Sequence, residues 1–448
     1  MYHFILLLKD YIVNHNMHWF LVFFFFVLIR WLIVFCISLG YKKYDKVTDE
    51  EARSVFSSVL IPVVDEPVDV FRNVLNKILR QTPNELIVVV NGPYPKELMK
   101  LCQEVKKKRS KEKHPTEIQI LYTPKPGKRN AIRLGLEKVS SKSEVCVLVD
   151  SDTFWTEHTL IELMKPFVQD EQIGGVTTRQ KIYKPDGSFV SMFASIMEET
   201  RAEGTMKAMS VTGKVGCLPG RTIAFRTSIL RKVLHEFMTE VFMGIHNEVS
   251  DDRSLTNLTL KLGYKTVMQD SAVVYTMAPT KWRVFIKQQL RWSAGSQYNN
   301  LKMTSWMMGH APLMAFIYWA DMLMPILLVS VYLNTIACHI LKYLGADIGN
   351  IIYEGPMWLM PVFAVLGCFL GFGIRHIRAF RNLPWFYFLL IPVLVLILSF
   401  LMAYIRIAGL MRCADGTGWG TRVLEEEDFQ NEKISKDFDS VSSADISR

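Results

Sequence analysis

The sequence predicts an α/β domain with a doubly wound, mostly parallel sheet, joined to an α-helical transmembrane bundle. Strands and helices alternate from residue 57 to residue 150, and the strands are short apolar runs bounded by turn residues. Such alternation builds parallel sheets, and short apolar runs are typical of strands buried on both faces. Long apolar segments occur at both ends of the chain, and ~20 apolar residues are enough to cross a bilayer.

The elements of the central domain follow from turn residues and from helical spacing of apolar side chains. We predict strands at Ser57–Val64, Glu85–Val90, Ile118–Tyr122 and Val145–Val149. We predict helices at Val68–Arg80, from Pro126–Asn130 through Val139, from near Thr156, and at Ser254–Leu262. The basic run Lys106–Lys113 is interpreted as a solvated helix end or loop; no aromatic residues interleave it, which disfavours nucleic acid as a partner.

Membrane insertion is predicted from four apolar segments in a chain of 448 residues, half of them hydrophobic. Met17–Gly40 is followed by Lys42, Lys43 and Lys46, which places the large domain in the cytoplasm. The later segments are Pro312–Leu341, Pro356–Ile374 and Trp385–Leu410. Three full crossings would leave the tail outside, so either the tail is external or one segment is re-entrant, with Pro392 the candidate bend.

The predicted organisation has five parts. They are an N-terminal membrane segment (1–40), a cytoplasmic domain (41–292), an interfacial helix region (293–311), a C-terminal bundle (312–411) and a tail (412–448). The tail contains Trp419-Gly420-Thr421-Arg422 and ends in an acidic stretch whose composition is typical of disorder.

Two aspartates, Asp150 and Asp152, follow the predicted central strand directly. Ligands bind at the carboxyl ends of strands in open α/β sheets. Two carboxylates one residue apart can share a hard divalent cation, which in turn holds a diphosphate. The alternative is an acidic turn that caps the helix beginning near Thr156.

Other polar residues are expected along the same sheet edge. Asp65, Asn91 and Lys128 each follow a strand or open a helix, which outlines a nucleotide site. Gly127-Lys128-Arg129 is not a Walker loop. Lys128 and Arg129 can still meet phosphate oxygens at a helix start, although a solvated basic helix start is the simpler interpretation.

Two further motifs follow the central strand. Asp251-Asp252-Arg253 precedes a helical run, where a carboxylate can take a proton from a substrate or merely cap the helix. Gln288, Arg291 and Trp292 suit phosphate binding and sugar stacking, or an amphipathic interfacial helix. Arg30 lies inside the first apolar segment, where we expect it to line a channel or to extend to the interface.

Together these motifs resemble the processive, membrane-embedded family-2 glycosyltransferases, which include hyaluronan, chitin and cellulose synthases. The resemblance implies that the sheet is GT-A-like. The resemblance runs from Ser57 to Arg422 and rests on six motifs in family order. They are Asp65-Glu66, Gly127-Lys128-Arg129, Asp150-Ser151-Asp152, Ser250-Asp251-Asp252, Gln288-x-x-Arg291-Trp292 and Trp419-Gly420-Thr421-Arg422. A transporter or receptor with a soluble domain would leave the two aspartate motifs unexplained.

The resemblance implies a role for each motif. Asp65 and Glu66 would border the uridine, Lys128 would support the nucleotide, and Asp150 would face the diphosphate. Asp152 would bind Mg²⁺ or Mn²⁺, and Asp252 would be the general base, with Asp251 beside it. Gln288, Arg291 and Trp292 would hold the leaving diphosphate and the acceptor sugar, while Gly220 and Arg221 belong to the acceptor-side segment. Trp419 and Arg422 would close over the nucleotide, which requires a cytoplasmic tail.

Within the family, four extended stretches are similar to the synthases of type 3 capsular polysaccharide. They are Ile61–Pro67, Gly174–Lys181, Gly213–Arg221 and Glu248–Asn257. This implies UDP-glucose and UDP-glucuronic acid as donors, a growing polysaccharide and membrane lipids as partners, and a multi-pass plasma-membrane enzyme with a cytoplasmic catalytic domain. Alternatives are hyaluronan synthesis from UDP-GlcNAc and UDP-GlcA, or transfer of one sugar to a lipid.

The chain departs from the family pattern at two places. Asn91 stands where relatives have an aspartate that contacts the base, so an altered contact to uracil is expected. Ser293-Ala294-Gly295 follows Trp292, where many relatives have an arginine.

Overall fold

The computed structural model describes residues 18–111, 115–246, 250–345 and 373–413 in continuous stretches. The four predicted strands are confirmed within two residues at each end. They are β1 (Ser57–Val63), β2 (Glu85–Asn91), β3 (Glu117–Thr123) and β4 (Val145–Val149). The later strands are β5 (Thr153–Trp155), β6 (Ile173–Ile182), β7 (Thr222–Arg226), β8 (Val241–Phe242), β9 (Ile245–His246) and β10 (Lys265–Thr276).

Helices connect and follow these strands. They are α1 (His18–Leu39), α2 (Asp49–Ser54), α3 (Val68–Leu79), α4 (Lys96–Arg109), α5 (Lys128–Lys138), α6 (Thr159–Gln169), α7 (Phe189–Arg201), α8 (Lys207–Val211), α9 (Thr227–Met238), α10 (Asp251–Lys261), α11 (Trp282–His310), α12 (Pro312–Tyr343) and α13 (Ile391–Met411). A π-helical turn, Ala202–Met206, joins α7 to α8. The basic run from Lys106 forms the last turn of α4, in agreement with the interpretation as a helix end.

The main sheet is mixed, with the strand order β3-β2-β1-β4-β7-β6-β10-β5. The first four strands are parallel, as predicted. β7 is antiparallel to both β4 and β6, and β5 is antiparallel to β10, which the sequence did not indicate. The reversal at β7 brings the turn before it against the end of β4, where the Asp150 N–H donates to the Arg221 carbonyl at 3.0 Å.

Alternating side chains cover both faces of the sheet, as a doubly wound fold requires. In β4, Val147 packs in the core layer with Phe71 of α3, and Leu148 packs in the opposite layer with Ile132 of α5. All five residues of β4 are buried. The central strand is therefore fixed from two sides, and the turn that carries Asp150 has a rigid support.

Two predicted helix starts differ from the structure. The acidic turn leads into β5, and α6 begins only at Thr159, so Asp150 and Asp152 do not cap a helix. α10 begins at Asp251 rather than at Ser254, because Ser250 turns the chain with a φ of 61°. Asp251 and Asp252 therefore occupy the first turn of α10.

Only part of the predicted transmembrane bundle lies within the described residues. Among the described residues, one stretch, Pro312–Ser330 in α12, is long and apolar enough to cross a membrane, and Phe25–Leu39 and Phe400–Met411 are shorter apolar helices. The predicted segment Pro356–Ile374 lies almost entirely outside the described residues, and so does the tail beyond residue 413.

The last predicted segment does not begin as one continuous helix. A 3₁₀ stretch, Trp385–Leu390, precedes α13, and Pro392 lies in the first turn of α13, where proline is tolerated. Pro392 thus lies where the 3₁₀ stretch meets α13, and a re-entrant course of this segment stays a prediction. α13 packs closely on α11: a Cβ atom added to Gly409 would lie 2.5 Å from the Ser293 Cβ.

Candidate active site

A cavity of about 480 Å³ opens at the carboxyl ends of β1 and β4. This volume is in the range of sites that hold small organic ligands. The predicted site residues that line it are Glu66, Lys128, Asp150, Asp152, Gly220, Arg221, Asp251, Asp252, Gln288, Arg291 and Trp292. Most of the site residues predicted from the motifs therefore meet on one cavity, although they come from widely separated parts of the chain.

Lys128 lies at the centre of this cavity wall. It is the first residue of α5, and its Nζ donates to the Asp150 Oδ1 at 2.5 Å. Burial lowers the pKa of Lys128, but the nearby carboxylates of Asp150, Asp251 and Asp252 raise it by more, so the net shift is upward. The ammonium group stays charged and can offset negative charge on a bound phosphate.

Asp252 approaches the same point from the other side. Its Oδ2 accepts the Gly220 N–H at 3.0 Å, and its Oδ1 accepts the Arg253 N–H at 2.8 Å. A Cβ atom on Gly220 would lie 3.3 Å from the Asp252 Cβ and 3.4 Å from the Lys128 Nζ. Glycine at 220 thus allows Asp252, Lys128 and Asp150 to converge around one turn.

Asp150 and Asp152 fit a cation that arrives with a diphosphate. Both line the cavity, and the intervening Ser151 Oγ donates to the Glu66 Oε2 at 2.6 Å. Within the described ranges, no three His, Cys, Asp or Glu side chains form a metal cage. Mg²⁺ commonly uses one or two carboxylates and takes its remaining ligands from phosphates and water, and Mn²⁺ has a similar preference for oxygen.

Arg129 contradicts the expectation that it meets phosphate. Its guanidinium is 2% exposed and donates to Asp251 Oδ1 at 2.8 Å, Glu240 Oε2 at 2.9 Å and the Phe237 carbonyl at 2.7 Å. Successive helix residues point about 100° apart, so Arg129 faces the core while Lys128 faces the cavity. Burial raises the pKa of Asp251 despite Arg129, and this ion pair anchors the start of α10.

Asn91 and Asp65 do not line the cavity. Asn91 is 1% exposed, its Nδ2 donates to the Val63 carbonyl at 3.1 Å, and its Oδ1 accepts the Gly127 N–H at 3.2 Å. The expected contact to uracil is therefore replaced by a bond that holds the turn before Lys128. Asp65 is exposed at the end of β1, with a φ of 44°.

A cluster of charged side chains forms the wall next to Gly220. Arg221 Nη1 donates to Gln180 Oε1 at 2.8 Å and to Glu198 Oε1 at 2.9 Å. Arg201 Nη2 bonds to the same two side chains. Burial raises the pKa of Glu198, but Arg201 and Arg221 lower it by more, so the carboxylate stays ionised.

Glu198 and Arg201 also line the cavity, but they were not predicted as site residues because they lie in α7, where no motif occurs. Their only signal is a charged end on an otherwise apolar helix, Phe189–Arg201. Such an end is also typical of an ordinary solvated helix terminus, so the pattern alone does not separate the two.

α11 supplies the opposite wall. Arg291 and Trp292 lie three and four residues after Gln288, so both are neighbours of Gln288 on the helix surface, and all three line the cavity. The Trp292 ring is 39% exposed, and its centroid lies 5.7 Å from the Arg221 Cζ. An exposed indole beside a guanidinium suits a sugar ring. Trp419 and Arg422 lie outside the described residues, so their part in the site stays a prediction.

Arg253 connects the start of α10 to the following helices. Its Nη1 donates to Ser296 Oγ at 2.7 Å, and its Nη2 donates to Asn300 Oδ1 at 2.5 Å, both on α11. Its Cζ lies 4.3 Å from the Tyr318 ring centroid on α12. The residue after Asp252 thus fixes α10 against the helices that form the far part of the cavity.

Arg30 has neither of its expected positions. The side chain is 4% exposed and donates to Asp321 Oδ1, so it is buried instead of extending to an interface. The cavity is lined by Asp321 and by the neighbouring Trp31, and Arg30 lies behind this wall.

Comparisons with known proteins support the same interpretation of the fold. Residues 57–295 match the family described as "Glycosyltransferase like family 2". Human hyaluronan synthase 3 is 29% identical over 167 residues, which cover 37% of this chain and 30% of that protein. A type 2 glycosyltransferase of Zymoseptoria tritici is 26% identical over 252 residues, covering 55% and 50%. The chain thus matches between about a third and a half of the length of these relatives.

A solved structure shares the fold over most of the chain. The mannosyltransferase PcManGT from Pyrobaculum calidifontis, in complex with GDP-Man and Mn²⁺, aligns with a TM-score of 0.55 and 14% identity. The alignment covers 89% of this chain and 97% of that protein.

Proposed function

The chain belongs to the glycosyltransferase-like family 2, and from this premise we propose that it is a processive, inverting, membrane-bound polysaccharide synthase. It joins UDP-glucose and UDP-glucuronic acid into a polymer like type 3 capsular polysaccharide and exports it through its own bundle. The observation that carries the proposal is the convergence of Asp150 and Asp252 around Lys128 and Gly220, on a cavity that continues to Asp321.

In the transfer step, Asp252 acts as the general base. Its carboxylate, oriented by the backbone N–H groups of Gly220 and Arg253, accepts the proton of the acceptor hydroxyl. The acceptor oxygen then forms a bond to the anomeric carbon while the bond between that carbon and the UDP phosphate oxygen breaks. Attack from the face opposite UDP inverts the anomeric centre.

Charge on the departing UDP is offset by residues on both cavity walls. Lys128 and Arg291 line the cavity and carry the positive charge for this role. Asp152 would hold Mg²⁺ or Mn²⁺, which would supply positive charge to the diphosphate, and Asp150 would face that diphosphate. The Mn²⁺ in the mannosyltransferase complex supports a divalent cation for this fold.

The remaining predicted residues complete the substrate contacts. Glu66 and Asp65 border the uridine, and Trp292 stacks on the acceptor sugar next to Arg221. Asn91 acts indirectly, by holding the Gly127 turn. Trp419 and Arg422 close over the nucleotide from the tail.

We assign the protein to the plasma membrane as a multi-pass protein with the catalytic domain in the cytoplasm. Pro312–Ser330 supports at least one crossing. The cavity supports processive synthesis over transfer of one sugar to a lipid, because it is lined both by Asp252 and by residues of α12 and α13.

Hyaluronan synthesis from UDP-GlcNAc and UDP-GlcA is the second candidate function. It is favoured by the identity to hyaluronan synthases from human and Xenopus laevis. It shares the inverting chemistry and the glucuronic acid donor with the first candidate, and it differs in the second sugar.

Membranes that contain the full chain separate these functions. We expect high-molecular-weight product only with radiolabelled UDP-glucose plus UDP-glucuronic acid, at millimolar Mg²⁺ or Mn²⁺. Product from UDP-GlcNAc plus UDP-GlcA, digestible by hyaluronidase, would establish the second candidate instead. Label that appears only in a lipid extract would contradict processive synthesis altogether.

A further inference from the structure

Gln180 of β6 lies in the cavity wall next to the turn that carries Gly220. It is 3% exposed and lines the cavity. It belongs to the stretch Gly174–Lys181, to which the proposed function gives no role. A buried amide is costly unless its donor and its acceptor are both matched, so the partners of Gln180 indicate what it does.

The two ends of the Gln180 amide have opposite kinds of partner. Its Oε1 accepts Arg221 Nη1 at 2.8 Å and Arg201 Nη2 at 3.2 Å, whereas its Nε2 donates to the Pro219 carbonyl at 3.0 Å. A guanidinium group can only donate and a carbonyl oxygen can only accept, so these partners determine which way the amide points. Gln180 therefore joins two arginine side chains to the backbone of the turn before β7.

The Pro219 carbonyl belongs to the same peptide group as the Gly220 N–H. This peptide bond is trans, so its C=O and its N–H point to opposite sides of one plane. The N–H donates to Asp252 Oδ2 at 3.0 Å, and the carbonyl accepts from Gln180. A peptide plane that is held at both edges cannot rotate about the chain axis without breaking one of these two hydrogen bonds.

Gln180 also strengthens the bond to Asp252. A donor at a peptide oxygen polarises the peptide group, so that its N–H binds an acceptor more strongly. One residue further along the turn, the Arg221 carbonyl accepts the Asp150 N–H at 3.0 Å. Both aspartates are therefore held by this turn, whose backbone Gln180 fixes at Pro219.

From these contacts we propose that Gln180 is a positioning residue for the transfer step. By fixing the Pro219–Gly220 peptide group, it directs the Asp252 carboxylate towards the acceptor hydroxyl. This inference rests on the proposed function, because it takes Asp252 to be the general base. Loss of the Gln180 donor should therefore lower the rate of transfer and leave donor binding nearly unchanged.

The test uses the purified full chain in nanodiscs and measures UDP release from UDP-glucose plus UDP-glucuronic acid. Gln180→Glu keeps an oxygen for Arg221 and Arg201, but it replaces the amide donor with a second acceptor, which repels the Pro219 carbonyl. We expect kcat to fall about tenfold and the KM of each UDP-sugar to change by less than about threefold, because small misplacements of reacting groups are costly. Gln180→Met, which removes both ends of the amide, should lower kcat at least as much.

Gln269 of β10 provides the matched control. It is buried as Gln180 is, and its amide also binds backbone, with Nε2 donating to the Tyr44 carbonyl at 2.9 Å and Oε1 accepting the Tyr44 N–H at 3.0 Å. Gln269→Met should lower the melting temperature as Gln180→Met does, with kcat unchanged.

A double substitution tests whether Gln180 acts through Asp252. The Asp252→Asn variant already lacks the proton acceptor, so adding Gln180→Glu should lower the remaining rate by less than about twofold. A residue that acts elsewhere would lower the rate by the same factor in both backgrounds.

Three outcomes overturn the inference. They are a wild-type kcat in Gln180→Glu, an equal fall of the rate on adding Gln180→Glu to the wild type and to Asp252→Asn, and an equal fall of kcat in Gln269→Met. The first would mean that only the contacts to the arginine side chains matter. Any of these results with an active wild type contradicts this inference alone, whereas a wild type that releases no UDP contradicts the proposed function and this inference with it.

Discussion

The two halves of the sheet form the site by different means. In the parallel half, β3-β2-β1-β4, the site residues lie within a few positions of a strand end or helix start, between Asp65 and Asp152. In the half from β7 to β5, contacts connect distant positions: Gly220 binds Asp252, 32 residues away, and Arg253 binds Asn300, 47 residues away. One rule of strand geometry therefore positions the residues proposed for the donor side, whereas the residues proposed for the acceptor side depend on tertiary packing.

Asp252→Asn should have the strongest effect, and it should lower the rate of transfer without lowering the affinity for the UDP-sugar. Asp252→Asn removes the proton acceptor but keeps an oxygen for the Gly220 N–H, so we expect UDP release to fall by about 10²–10⁴-fold. UDP-sugar affinity, measured by calorimetry, should change by less than about threefold, because the parallel half is untouched. Asp69→Asn, exposed on α3, is the control. Joint loss of turnover and donor affinity would make Asp252 a structural carboxylate.

Lys128 and Arg129, which are adjacent in α5, provide the next test, because one faces the cavity and the other faces the core. Arg129→Met leaves Asp251 buried without its guanidinium partner and leaves Glu240 with Lys302 alone, and loss of one member of a buried ion pair costs about 3–5 kcal/mol of unfolding free energy. Lys128→Met is the matched substitution; we expect it to weaken UDP binding about tenfold while unfolding in denaturant changes little. Similar denaturation midpoints for the two variants would contradict the different roles of these neighbours.

Gly220→Ala probes the point where the two halves meet. The added Cβ would lie 3.3 Å from the Asp252 Cβ and 3.4 Å from the Lys128 Nζ, so both groups must shift by a few tenths of an ångström. We expect kcat to fall about tenfold with the melting temperature nearly unchanged, because small misplacements of reacting groups are costly. Ala224 of β7 is buried away from the cavity, and Ala224→Gly should instead lower stability with little effect on kcat. Equal kcat for Gly220→Ala and wild type would show that this turn does not position Asp252.

The weakest effect should be on the pH dependence of stability, through Glu198. Arg201 and Arg221 hold the pKa of Glu198 below its ordinary value of 4.5 in spite of burial. The stabilisation is therefore complete above the unfolded-state pKa and is lost as pH falls through the lower folded value. Glu198→Gln should reduce unfolding free energy at pH 7 by about 1 kcal/mol, and the gap to wild type should narrow below pH 4.5. If the difference in unfolding free energy did not change with pH, the destabilisation would be due to packing and not to the charge of Glu198.

Some strands and site residues could be predicted from the sequence, and others could not. The four parallel strands and the cavity position of Lys128 follow from local apolar runs and turns. Asn91 was misassigned because its amide binds backbone groups of two other segments, which no local pattern encodes. Glu198 and Asp321 were missed because Arg221 and Arg30 reach them through tertiary contacts. Arg201 was missed because its pair with Glu198, three residues earlier, is typical of any helix surface. The domain boundaries stay a prediction.

The contact between Gly409 and Ser293 has a mechanical consequence. Ser293 directly follows Trp292, and Gly409 lies about one turn beyond Arg406 on α13. Gly409 has no side chain, so the Ser293 side chain lies directly against α13, and we expect a tilt of α13 to move the neighbouring Trp292 with it. If the chain is a processive synthase as proposed, we expect this contact to couple advance of the product by one unit to re-seating of the acceptor ring, and we expect a bulky residue at 409 to uncouple them.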